Sequence, residues 1–446
     1  MTKALFPYQR TGAAWLAQPG NKLLADEQRV GKAIQSVQAC NYILAQNPLI
    51  VCDANARFNW EREFKIWAVE DIETTVVLSG DTKIPMTGRV IVNYDLVRAP
   101  KIHKQLMKRR NDLLVLDESQ RLANPEAKRT RAVFGPKGDG GGGIVSTAER
   151  VWALSGTPAR NHPGELYPLL RACFPEVLRR DGRIISYWSF VGRYCITVES
   201  NFGTKIVGGK NASELRALLA EVMLRRTRAE VRPELPPLRF GEVILPPGDL
   251  AKEIREMEAG PEGDALRKAL ADSNDPLLAL ESASSSAPAL RRLLGRAKVG
   301  PVADLVADEL QKGDGKIVLF AYHRAVVEGL RDRLQEYGPC VYYGGMSPKA
   351  KQASIDAFMQ DPGRRVYIGQ IEASSTSINL SAADDILFVE SSWVPTDNEQ
   401  AACRCLDITK GGRDVFVRFC SVAGSMDEAI QAAARKKLEM LTAIFG

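Results

Sequence analysis

Two short segments of this sequence combine the residue types that phosphate chemistry requires. The first, LLADEQRVGKA at 23–33, is an apolar run that ends at Gly31 and Lys32 and then opens a helical pattern. Backbone N–H groups at a helix N-terminus, together with the Lys32 ammonium, can neutralise nucleotide phosphates. The second, LLVLDESQ at 113–120, is an apolar strand that ends in Asp117 and Glu118. One carboxylate there would hold Mg²⁺ and the other would activate an attacking water.

The elements that must position these residues follow a doubly wound α/β pattern. Short continuous hydrophobic runs, typical of buried parallel strands, recur through the first part of the chain. In such sheets the ligand binds at the carboxyl ends of the strands, where both motifs fall. The segment LSGTP ends a further strand at the same edge. The predicted strands begin at residues 23, 48, 89, 113 and 151.

The rest of the chain predicts a second domain of the same kind. Residues 166–230 have a mostly helical pattern, and 246–290 are rich in Pro, Gly, Ala and Ser. A second series of strand-like runs begins at residues 316, 340, 365, 385 and 414. We therefore predict an α/β fold of two tandem doubly wound lobes with helical insertions between them. The predicted boundaries are 1–165 for the first lobe, 166–237 for its helical extension, 238–297 for a linker with a helical insertion, and 298–446 for the second lobe.

A glycine-rich stretch, GDGGGG at 138–143, lies between two predicted strands. Glycine gives the backbone unusual freedom, so this stretch predicts a flexible surface loop. Because no Lys-Ser or Lys-Thr pair follows it, a surface insertion is favoured over a phosphate-binding loop.

The composition excludes several other function classes. The 446 residues are 45% hydrophobic and 26% charged, with a formal charge of +6, which permits a polyanionic partner without requiring one. The three histidines are isolated, so catalytic triads and His-ligated metals are poor hypotheses. The eight scattered cysteines favour reduced thiols. Since no apolar run could span a bilayer and the N-terminus has no leader-like stretch, we expect a cytoplasmic protein with no membrane partner.

The phosphate-loop segment, the acidic strand end and further segments in order along the chain resemble the motifs of the Swi/Snf-type branch of the superfamily two helicase-like translocases. The resemblance extends from about residue 5 to 430 and is nearest to compact annealing-helicase-like and phage-encoded members, which favours a prokaryotic or phage-infected cell. The most family-specific segment is MLRRTRAEVRPELPP at 223–237, which resembles the end of the first lobe. The other first-lobe matches are LFPYQRTGAAWL, LLADEQRVGKAIQSV, VCDANARFNWEREFKIW, VIVNYD, LDESQRLANPEAKRTRA and LSGTPARN. The second-lobe matches include IVLFAYHRAVVEGL, YYGGMSPKAKQASIDAF, ASSTSINLSAADDILFVESSWVP and NEQAACRCLDI.

The resemblance implies an ATP- and Mg²⁺-dependent translocase whose two lobes are RecA-like and bind ATP between them and duplex or branched DNA across their open face. Gln9 would contact adenine, Asp117 would hold Mg²⁺ and Glu118 would activate water. Arg404, with Gln400 beside it, would reach the nucleotide from the second lobe. The nucleotide-binding residues implied are Tyr8, Gln9, Asp26, Glu27, Gln28, Arg29, Val30, Gly31, Lys32 and Ala33.

DNA contacts of such a protein are mostly made to phosphates, so a mild overall positive charge is sufficient when it is concentrated locally. For each candidate, the alternative is a solubilising surface charge or a core aromatic residue. The candidate DNA contacts are Arg57, Tyr94, Lys128, Arg129, Arg131 and Arg324.

Four departures from the family pattern concern the chemistry. Arg29 replaces a glycine of the phosphate loop, and Ala33 replaces the Thr whose hydroxyl would coordinate Mg²⁺. Asp407 replaces the second arginine of NEQAACRCLDI, where an arginine would stabilise transition-state charge. Serines replace the glycines of a loop expected to approach DNA and nucleotide, at Ser374, Ser375 and Ser377.

Two hypotheses of different classes therefore stand. The first is a DNA-stimulated ATPase and translocase, favoured by the paired carboxylates Asp117 and Glu118. The second is a catalytically weak or inactive relative that binds DNA, with or without ATP, as a scaffold or regulator, favoured by Ala33 and Asp407. An RNA helicase of the same superfamily is disfavoured by the 223–237 segment.

Overall fold

The computed structural model describes residues 4–200, 203–234, 238–271, 287–374, 378–393, 395–406 and 414–432. It divides into two compact units, with the boundary between Arg232 and Pro233. Each unit is built on a parallel sheet with helices, which confirms the predicted α/β fold with two tandem doubly wound lobes. No helix in these described ranges is both long and apolar enough to cross a membrane.

The sheet of the first unit has seven parallel strands in the order β11-β1-β6-β5-β2-β4-β3. Its inner strands are almost entirely buried and correspond to the five runs predicted from the sequence. Two short edge strands, β3 and β11, were not predicted. The strands are β1 (Lys22–Leu24), β2 (Pro48–Cys52), β3 (Thr74–Val76), β4 (Arg89–Asn93), β5 (Leu113–Asp117), β6 (Val151–Leu154) and β11 (Met223–Leu224).

Helices connect these strands and cover the sheet. Trp60, Phe64 and Trp152 pack in a cluster of buried residues beneath the phosphate-loop helix. The helices are α1 (Pro7–Ala17), α2 (Lys32–Ile43), α3 (Arg57–Trp67), α4 (Tyr94–Val97), α5 (Pro100–Leu106), α6 (Lys128–Phe134), α7 (Tyr167–Cys173), α8 (Tyr187–Tyr194), α9 (Ala212–Ala220) and α10 (Arg228–Val231).

The region predicted as a mostly helical extension contains two antiparallel hairpins as well as helices. One joins β7 (Arg179–Arg180) to β8 (Arg183–Ile184), and the other joins β9 (Cys195–Ser200) to β10 (Gly203–Gly209). Asp181 and Gly182 turn the first hairpin with φ values of 48° and 77°, the positive values that a two-residue turn of type I′ needs. The helical prediction was therefore wrong for residues 179–184 and 195–209, because it missed this turn signal and the β-branched residues of β9.

The sheet of the second unit has six parallel strands in the order β12-β17-β16-β13-β15-β14. Five match the predicted runs. The sixth, β12, pairs with β17 along its whole length, so residues 238–245 belong to the second sheet and not to a linker. The prediction missed β12 because most of this edge strand is exposed. The strands are β12 (Leu238–Leu245), β13 (Ile317–Ala321), β14 (Cys340–Tyr342), β15 (Val366–Gln370), β16 (Asp385–Phe388) and β17 (Val415–Val422).

The helices of the second unit include a 25-residue helix, Pro288–Lys312, which carries Pro301 within it. Before it, α11 (Ala251–Glu258) and α12 (Pro261–Ala271) occupy part of the predicted helical insertion. Leu266 and Leu290 bury their side chains in one cluster, so these helices pack on the lobe and do not form a loose linker. The remaining helices are Arg324–Arg333, Pro348–Gln360, Ile371–Ser374 and Pro395–Ala402.

The glycine-rich stretch forms a tightly packed turn. A Cβ at Gly143 would lie 2.3 Å from both the Gly135 nitrogen and the Val133 oxygen, distances at which backbone atoms collide. The Gly140 N–H donates to the Phe134 oxygen at 2.9 Å. Gly143 therefore serves close backbone packing, whereas the sequence had predicted only a flexible insertion over residues 138–143.

Candidate functional site

The phosphate loop connects the end of β1 to the start of α2. Its backbone takes the left-handed conformation at Arg29, with φ 67°, and at Gly31, with φ 82°. A Cβ at Gly31 would lie 2.6 Å from Gln9 Nε2, so glycine is required there for conformation and for space. At Arg29, the glycine typical of the family would adopt the same backbone without strain. The Arg29 departure is thus accommodated at a conformational cost of about 1 kcal/mol.

Tyr8 and Gln9 hold this loop from α1. The Tyr8 hydroxyl and Gln9 Nε2 donate to the Val30 oxygen at 3.1 and 3.3 Å, and the Phe6 N–H donates to Gln9 Oε1 at 3.1 Å. Both side chains thereby orient the loop. The contact of Gln9 with adenine stays a prediction.

Lys32 begins α2 and brings the two halves of the site together. Its ammonium donates to the Asp26 oxygen at 2.8 Å and to the Glu27 oxygen at 3.1 Å. Burial lowers the pKa of Lys32, whereas the nearby carboxylates of Glu118, Asp26 and Asp117 act in the opposite direction. The phosphate loop and the end of β5 therefore share one electrostatic environment.

Asp117 and Glu118 lie at the carboxyl end of β5, as predicted. The Trp60 indole donates to Asp117 Oδ2 at 2.8 Å and fixes that carboxylate. Burial and the adjacent Glu118 carboxylate raise the pKa of Asp117 to about 7. Glu118 has a left-handed backbone, with φ 52°, and precedes a short 3₁₀ helix, Ser119–Leu122. Such strain is common where a side chain is held for function.

These residues fit a Mg²⁺ ion. Burial and the adjacent Glu118 carboxylate raise the pKa of Asp117, and a bound cation would favour the charged form of this aspartate. Among the described residues, no group of three or more His, Cys, Asp or Glu forms a metal cluster. This donor set suits Mg²⁺, which commonly takes one or two carboxylates and completes its octahedron with phosphate oxygens and waters. Ala33 adds no oxygen to this set.

A chain of hydrogen bonds links the end of β5 to the end of β6. Gln120 Nε2 donates to Glu118 Oε2 at 2.5 Å, and the Ser155 hydroxyl donates to Gln120 Oε1 at 2.6 Å. The Thr157 N–H in turn donates to Ser155 Oγ at 3.1 Å. Gln120 and Ser155 are buried and orient the candidate base Glu118. Sequence reasoning did not assign either residue, although both follow predicted strands.

Gly156 lies where the two loops approach most closely. A Cβ at this position would lie 2.6 Å from Gln28 Cγ and 3.4 Å from Lys32 Nζ. The glycine of LSGTP therefore allows the loop after β6 to lie against the phosphate loop. This contact also places Gln28 beside Lys32.

Asp26 is fully buried and forms an ion pair with Arg226. Arg226 donates to Asp26 through Nε at 3.0 Å and Nη2 at 2.5 Å, and it also donates to the Tyr8 oxygen and to Gln35 Oε1. Gln35 Nε2 donates to Asp26 Oδ2 at 3.1 Å. The structure thus gives Asp26 a role in holding α1, the phosphate loop and the 223–227 segment together. Its contact with nucleotide stays a prediction.

Glu27 is held in a similar way from the same segment. Its carboxylate accepts the Arg228 N–H at 2.7 Å and lies 3.5 Å from Arg228 Nε. The neighbouring Arg225 donates to the Ala25 oxygen at 3.1 Å. Three arginines, Arg225, Arg226 and Arg228, therefore fix the loop to a segment about 200 positions further along the chain.

The predicted contributors from the second unit lie in the helical segment between β16 and β17. Arg404 is in a short 3₁₀ helix, Cys403–Cys405, and its oxygen accepts the Leu380 N–H at 2.9 Å. Gln400 is buried in the helix before it. Ser374 is fully buried, with Oγ 3.3 Å from the Tyr367 hydroxyl, so its side chain serves the core and not a ligand. Asp407, Ser375 and Ser377 lie outside the described residues.

Tyr94 is not a DNA contact. Its side chain is only 3% exposed, and its hydroxyl donates to the Asp117 oxygen at 2.7 Å. Burial raises the pKa of Tyr94 well above its usual value, so the hydroxyl remains a donor. Tyr94 therefore positions the strand end that carries Asp117. The sequence did not reveal this role of Tyr94, because an aromatic residue at the end of a strand has the same local pattern whether its side chain is exposed or buried.

The remaining DNA candidates differ in their surroundings. Arg57 donates from Nε to the Ala54 oxygen at 3.0 Å and also bonds the Val77 oxygen, which leaves it partly committed to backbone groups. Arg324 is exposed, pairs with Glu328 at 2.8 Å and lies over the Tyr343 ring. Their contact with DNA stays a prediction.

Lys128 and Arg131 line an open groove of about 740 Å³ between α4–α5 and α6. The groove is also lined by Arg98 and His103, which sequence reasoning did not select, and by Asp95, which pairs with Arg98 at 3.4 Å. Arg129, on the same helix, is half-buried. The α-helical spacing of three between Lys128 and Arg131 puts both on one face, and this signal could have identified the groove.

Comparison with known proteins agrees with this geometry. A family model described as the SNF2-related domain matches residues 8–246, and one described as the helicase conserved C-terminal domain matches residues 298–408. The chain is therefore a helicase-like protein of superfamily two. It belongs to the SNF2-related family, whose members are generally ATPases.

Among similar proteins are the "SWI/SNF-related matrix-associated actin-dependent regulator of chromatin subfamily A-like protein 1" of Xenopus tropicalis and of Drosophila melanogaster. They are 26% and 27% identical over 98% and 99% of this chain, and the match covers 44% and 56% of their own length. The mouse "DNA annealing helicase and endonuclease ZRANB3" is 26% identical over 98% of this chain and 40% of its own length. The chain thus spans about half the length of the curated relatives it matches.

A solved structure titled "Sulfolobus solfataricus SWI2/SNF2 ATPase core in complex with dsDNA" is also similar. It is 19% identical, with a TM-score of 0.45, and the match covers 100% of this chain and 93% of that one.

We expect the Arg226→Gln variant to lose about 3 kcal/mol of stability in the first unit, because the change leaves the buried Asp26 carboxylate without its cation. The matched variant Arg228→Gln breaks a more exposed pair and should lose less than about 1 kcal/mol. Urea unfolding of both variants measures the difference. Equal losses would show that the Asp26–Arg226 pair does not hold the loop.

Proposed function

We propose that this protein is an ATP-dependent, DNA-stimulated translocase that acts on duplex or branched DNA. The observation that carries the proposal is the meeting of Lys32 with Asp117 and Glu118 at the carboxyl edge of one parallel sheet. A phosphate-binding cation and two carboxylates in a shared, partly desolvated environment are what nucleotide hydrolysis requires.

In this proposal each group has one task. Lys32 and the N–H groups at the start of α2 bind phosphate oxygens. Asp117 would hold Mg²⁺, which would supply positive charge to the phosphates. Glu118 orients the attacking water and takes its proton, and Gln120 keeps the Glu118 carboxylate in place. Tyr8, Gln9 and residues 26–33 surround the nucleotide, and Gln400 and Arg404 act on it from the second lobe.

Two features favour slow hydrolysis within this function. Ala33 supplies no hydroxyl to Mg²⁺, so water must fill that position. Asp407 puts a carboxylate where the family has an arginine. The same two features support the alternative function, which is that of a DNA-bound scaffold or regulator with little ATP turnover.

DNA as the partner is supported by the groove, whose lining carries Lys128, Arg131 and Arg98 against the one carboxylate of Asp95, and by the name of the similar mouse protein, a "DNA annealing helicase and endonuclease". Contacts to phosphates from such a groove need no particular base sequence. A cytoplasmic location in a prokaryotic or phage-infected cell is part of the same proposal.

Glu118→Gln should reduce ATP turnover at least about 100-fold, since the amide cannot accept the proton of water. A coupled ATPase assay with and without duplex DNA measures this. Glu61→Gln, which removes a half-buried carboxylate on α3 that pairs with Lys65, should turn over ATP like the unaltered chain. If the unaltered chain shows no turnover above Glu118→Gln under either condition, the translocase proposal fails and the scaffold remains.

Ala33→Thr should lower the Mg²⁺ concentration for half-maximal turnover by roughly tenfold, because the added hydroxyl supplies a ligand. Ala33→Val has nearly the same shape without the oxygen and serves as the control. Mg²⁺ titrations of ATPase activity compare the two variants. An equal response of Thr and Val would mean that position 33 does not face the metal.

Removing Lys128 and Arg131 together, as a double alanine variant, should weaken binding to duplexes of any sequence and lower the salt slope by about 1.8, or 0.9 for each phosphate contact. Binding is measured by fluorescence anisotropy at several salt concentrations, with Lys83→Ala as an exposed-charge control. An unchanged slope would exclude this groove from the DNA site. Binding of an RNA duplex of the same length, measured in the same assay, tests the disfavoured hypothesis that the protein is an RNA helicase.

A further inference from the structure

Two tryptophans of the first unit share one core but differ in what their indole N–H groups contact. Trp60 on α3 is 1% exposed and Trp152 on β6 is fully buried, and both belong to the same cluster of buried residues. The Trp60 N–H donates to Asp117 Oδ2 at 2.8 Å, whereas the Trp152 N–H has no hydrogen-bond partner within the described ranges. Core packing alone therefore accounts for Trp152, while Trp60 also makes a specific polar contact with a residue of the candidate site.

The contact with Trp60 distinguishes the two oxygens of the Asp117 carboxylate. Oδ2 accepts the indole N–H, and among the described residues no group donates to Oδ1. The Tyr94 hydroxyl donates to the backbone oxygen of Asp117 at 2.7 Å, so the strand end is held separately from the side chain. Rotation of the carboxylate would break the indole contact. Trp60 therefore orients the carboxylate and leaves Oδ1 to accept another ligand.

The packing of α3 holds the Trp60 indole in place. Its ring lies 6.1 Å from the ring of Phe64, one turn later, and the Arg89 guanidinium lies 4.8 Å from the centre of the Phe64 ring. Arg89 is itself tied to the backbone, since it donates to the Glu70 oxygen at 2.8 Å. The donor that faces Asp117 is thus fixed before any ligand binds, which lowers the cost of holding the carboxylate in one orientation.

The oriented oxygen of Asp117 suits Mg²⁺, because this ion requires near-octahedral geometry and commonly takes only one or two carboxylates from a protein. Glu118 Oε2 already accepts from Gln120 at 2.5 Å. Ala33 has no side-chain oxygen. Binding of the ion would therefore depend strongly on Asp117 Oδ1, and groups that hydrogen-bond to a metal ligand commonly change metal affinity by about 10- to 100-fold.

We propose that Trp60 is a positioning residue for Mg²⁺, whose indole N–H orients the Asp117 carboxylate so that Oδ1 holds the ion. In this chain the contact supplies part of the affinity that a Thr at position 33 would otherwise provide. The proposal rests on the proposed ATP-dependent function and assigns to α3 a task in nucleotide binding.

Trp60→Phe keeps an aromatic ring but removes the N–H, and it should weaken metal binding at least about tenfold. The measurement uses Mn²⁺ as the probe, with a non-hydrolysable ATP analogue, and follows free Mn²⁺ by electron paramagnetic resonance, so it does not depend on turnover. Trp152→Phe is the matched control. It makes the same change of volume in the same cluster but removes an N–H without a partner, and it should leave Mn²⁺ affinity within about twofold.

A second replacement separates the hydrogen bond from the packing of the ring. Placing 3-benzothienylalanine at position 60 keeps the size of the two-ring system and substitutes sulfur for the N–H. It should weaken Mn²⁺ binding as much as Trp60→Phe does, because both lose the donor to Asp117. Thermal unfolding of each variant measures the loss of stability, which this replacement should keep small.

The link between Trp60 and position 33 is tested by a double-mutant cycle with Ala33→Thr. In the Ala33→Thr background, Trp60→Phe should weaken Mn²⁺ binding by only about threefold, because a second protein oxygen then holds the ion. A purely structural role of Trp60 would give the same loss in both backgrounds, and that result would overturn the link.

Equal Mn²⁺ affinities of Trp60→Phe and Trp152→Phe would overturn the proposal, and so would full affinity with 3-benzothienylalanine at position 60. Failure of the broader function gives a different result. If the unaltered chain bound Mn²⁺ and the ATP analogue but showed no ATP turnover, the translocase would fail while the role of Trp60 could still be measured. If the unaltered chain bound no Mn²⁺ with the analogue, both proposals would fail.

Discussion

The buried ion pair between Asp26 and Arg226 is the interaction on which the nucleotide site depends. Asp26 lies at the start of the phosphate loop with none of its surface exposed, and a carboxylate in that position is unstable without a partner. The partner comes from a segment 200 residues later, which also supplies β11 to the edge of the first sheet. The loop can therefore take its shape only when the whole first unit, from α1 to residue 227, is folded.

Once the loop is fixed, the rest of the site follows from the ends of three adjacent strands. Lys32 is held at the end of β1, Asp117 and Glu118 at the end of β5, and Ser155 at the end of β6. Hydrogen bonds through Gln120 connect the last two strand ends. A change in the conformation of the loop after β6 would therefore move the Glu118 carboxylate, which is proposed to activate water. Parallel strands make this possible because their carboxyl ends meet at one edge.

The strands were the most predictable part of the fold. Five runs in each lobe were recognised because central parallel strands are buried on both faces and read as continuous apolar segments. The edge strands β3, β11 and β12 were missed because they are short or exposed, and the hairpins between 179 and 209 were taken as helix. In the site, Lys32, Asp117 and Glu118 were found from their positions after apolar runs, whereas Gln120, Ser155 and Arg226 were not, since their roles come from partners distant in the chain.

The sequence by itself determined where the sheet strands run and which charged residues stand at their ends, because burial and strand length leave a local pattern. Only the tertiary structure decided what each of those residues touches. Asp26 turned out to face an arginine, and Tyr94 to support Asp117 from the core. Position 188 carries an exposed indole that packs on Tyr187. These contacts depend on packing between segments up to 200 residues apart, and they cannot be predicted from the local sequence pattern.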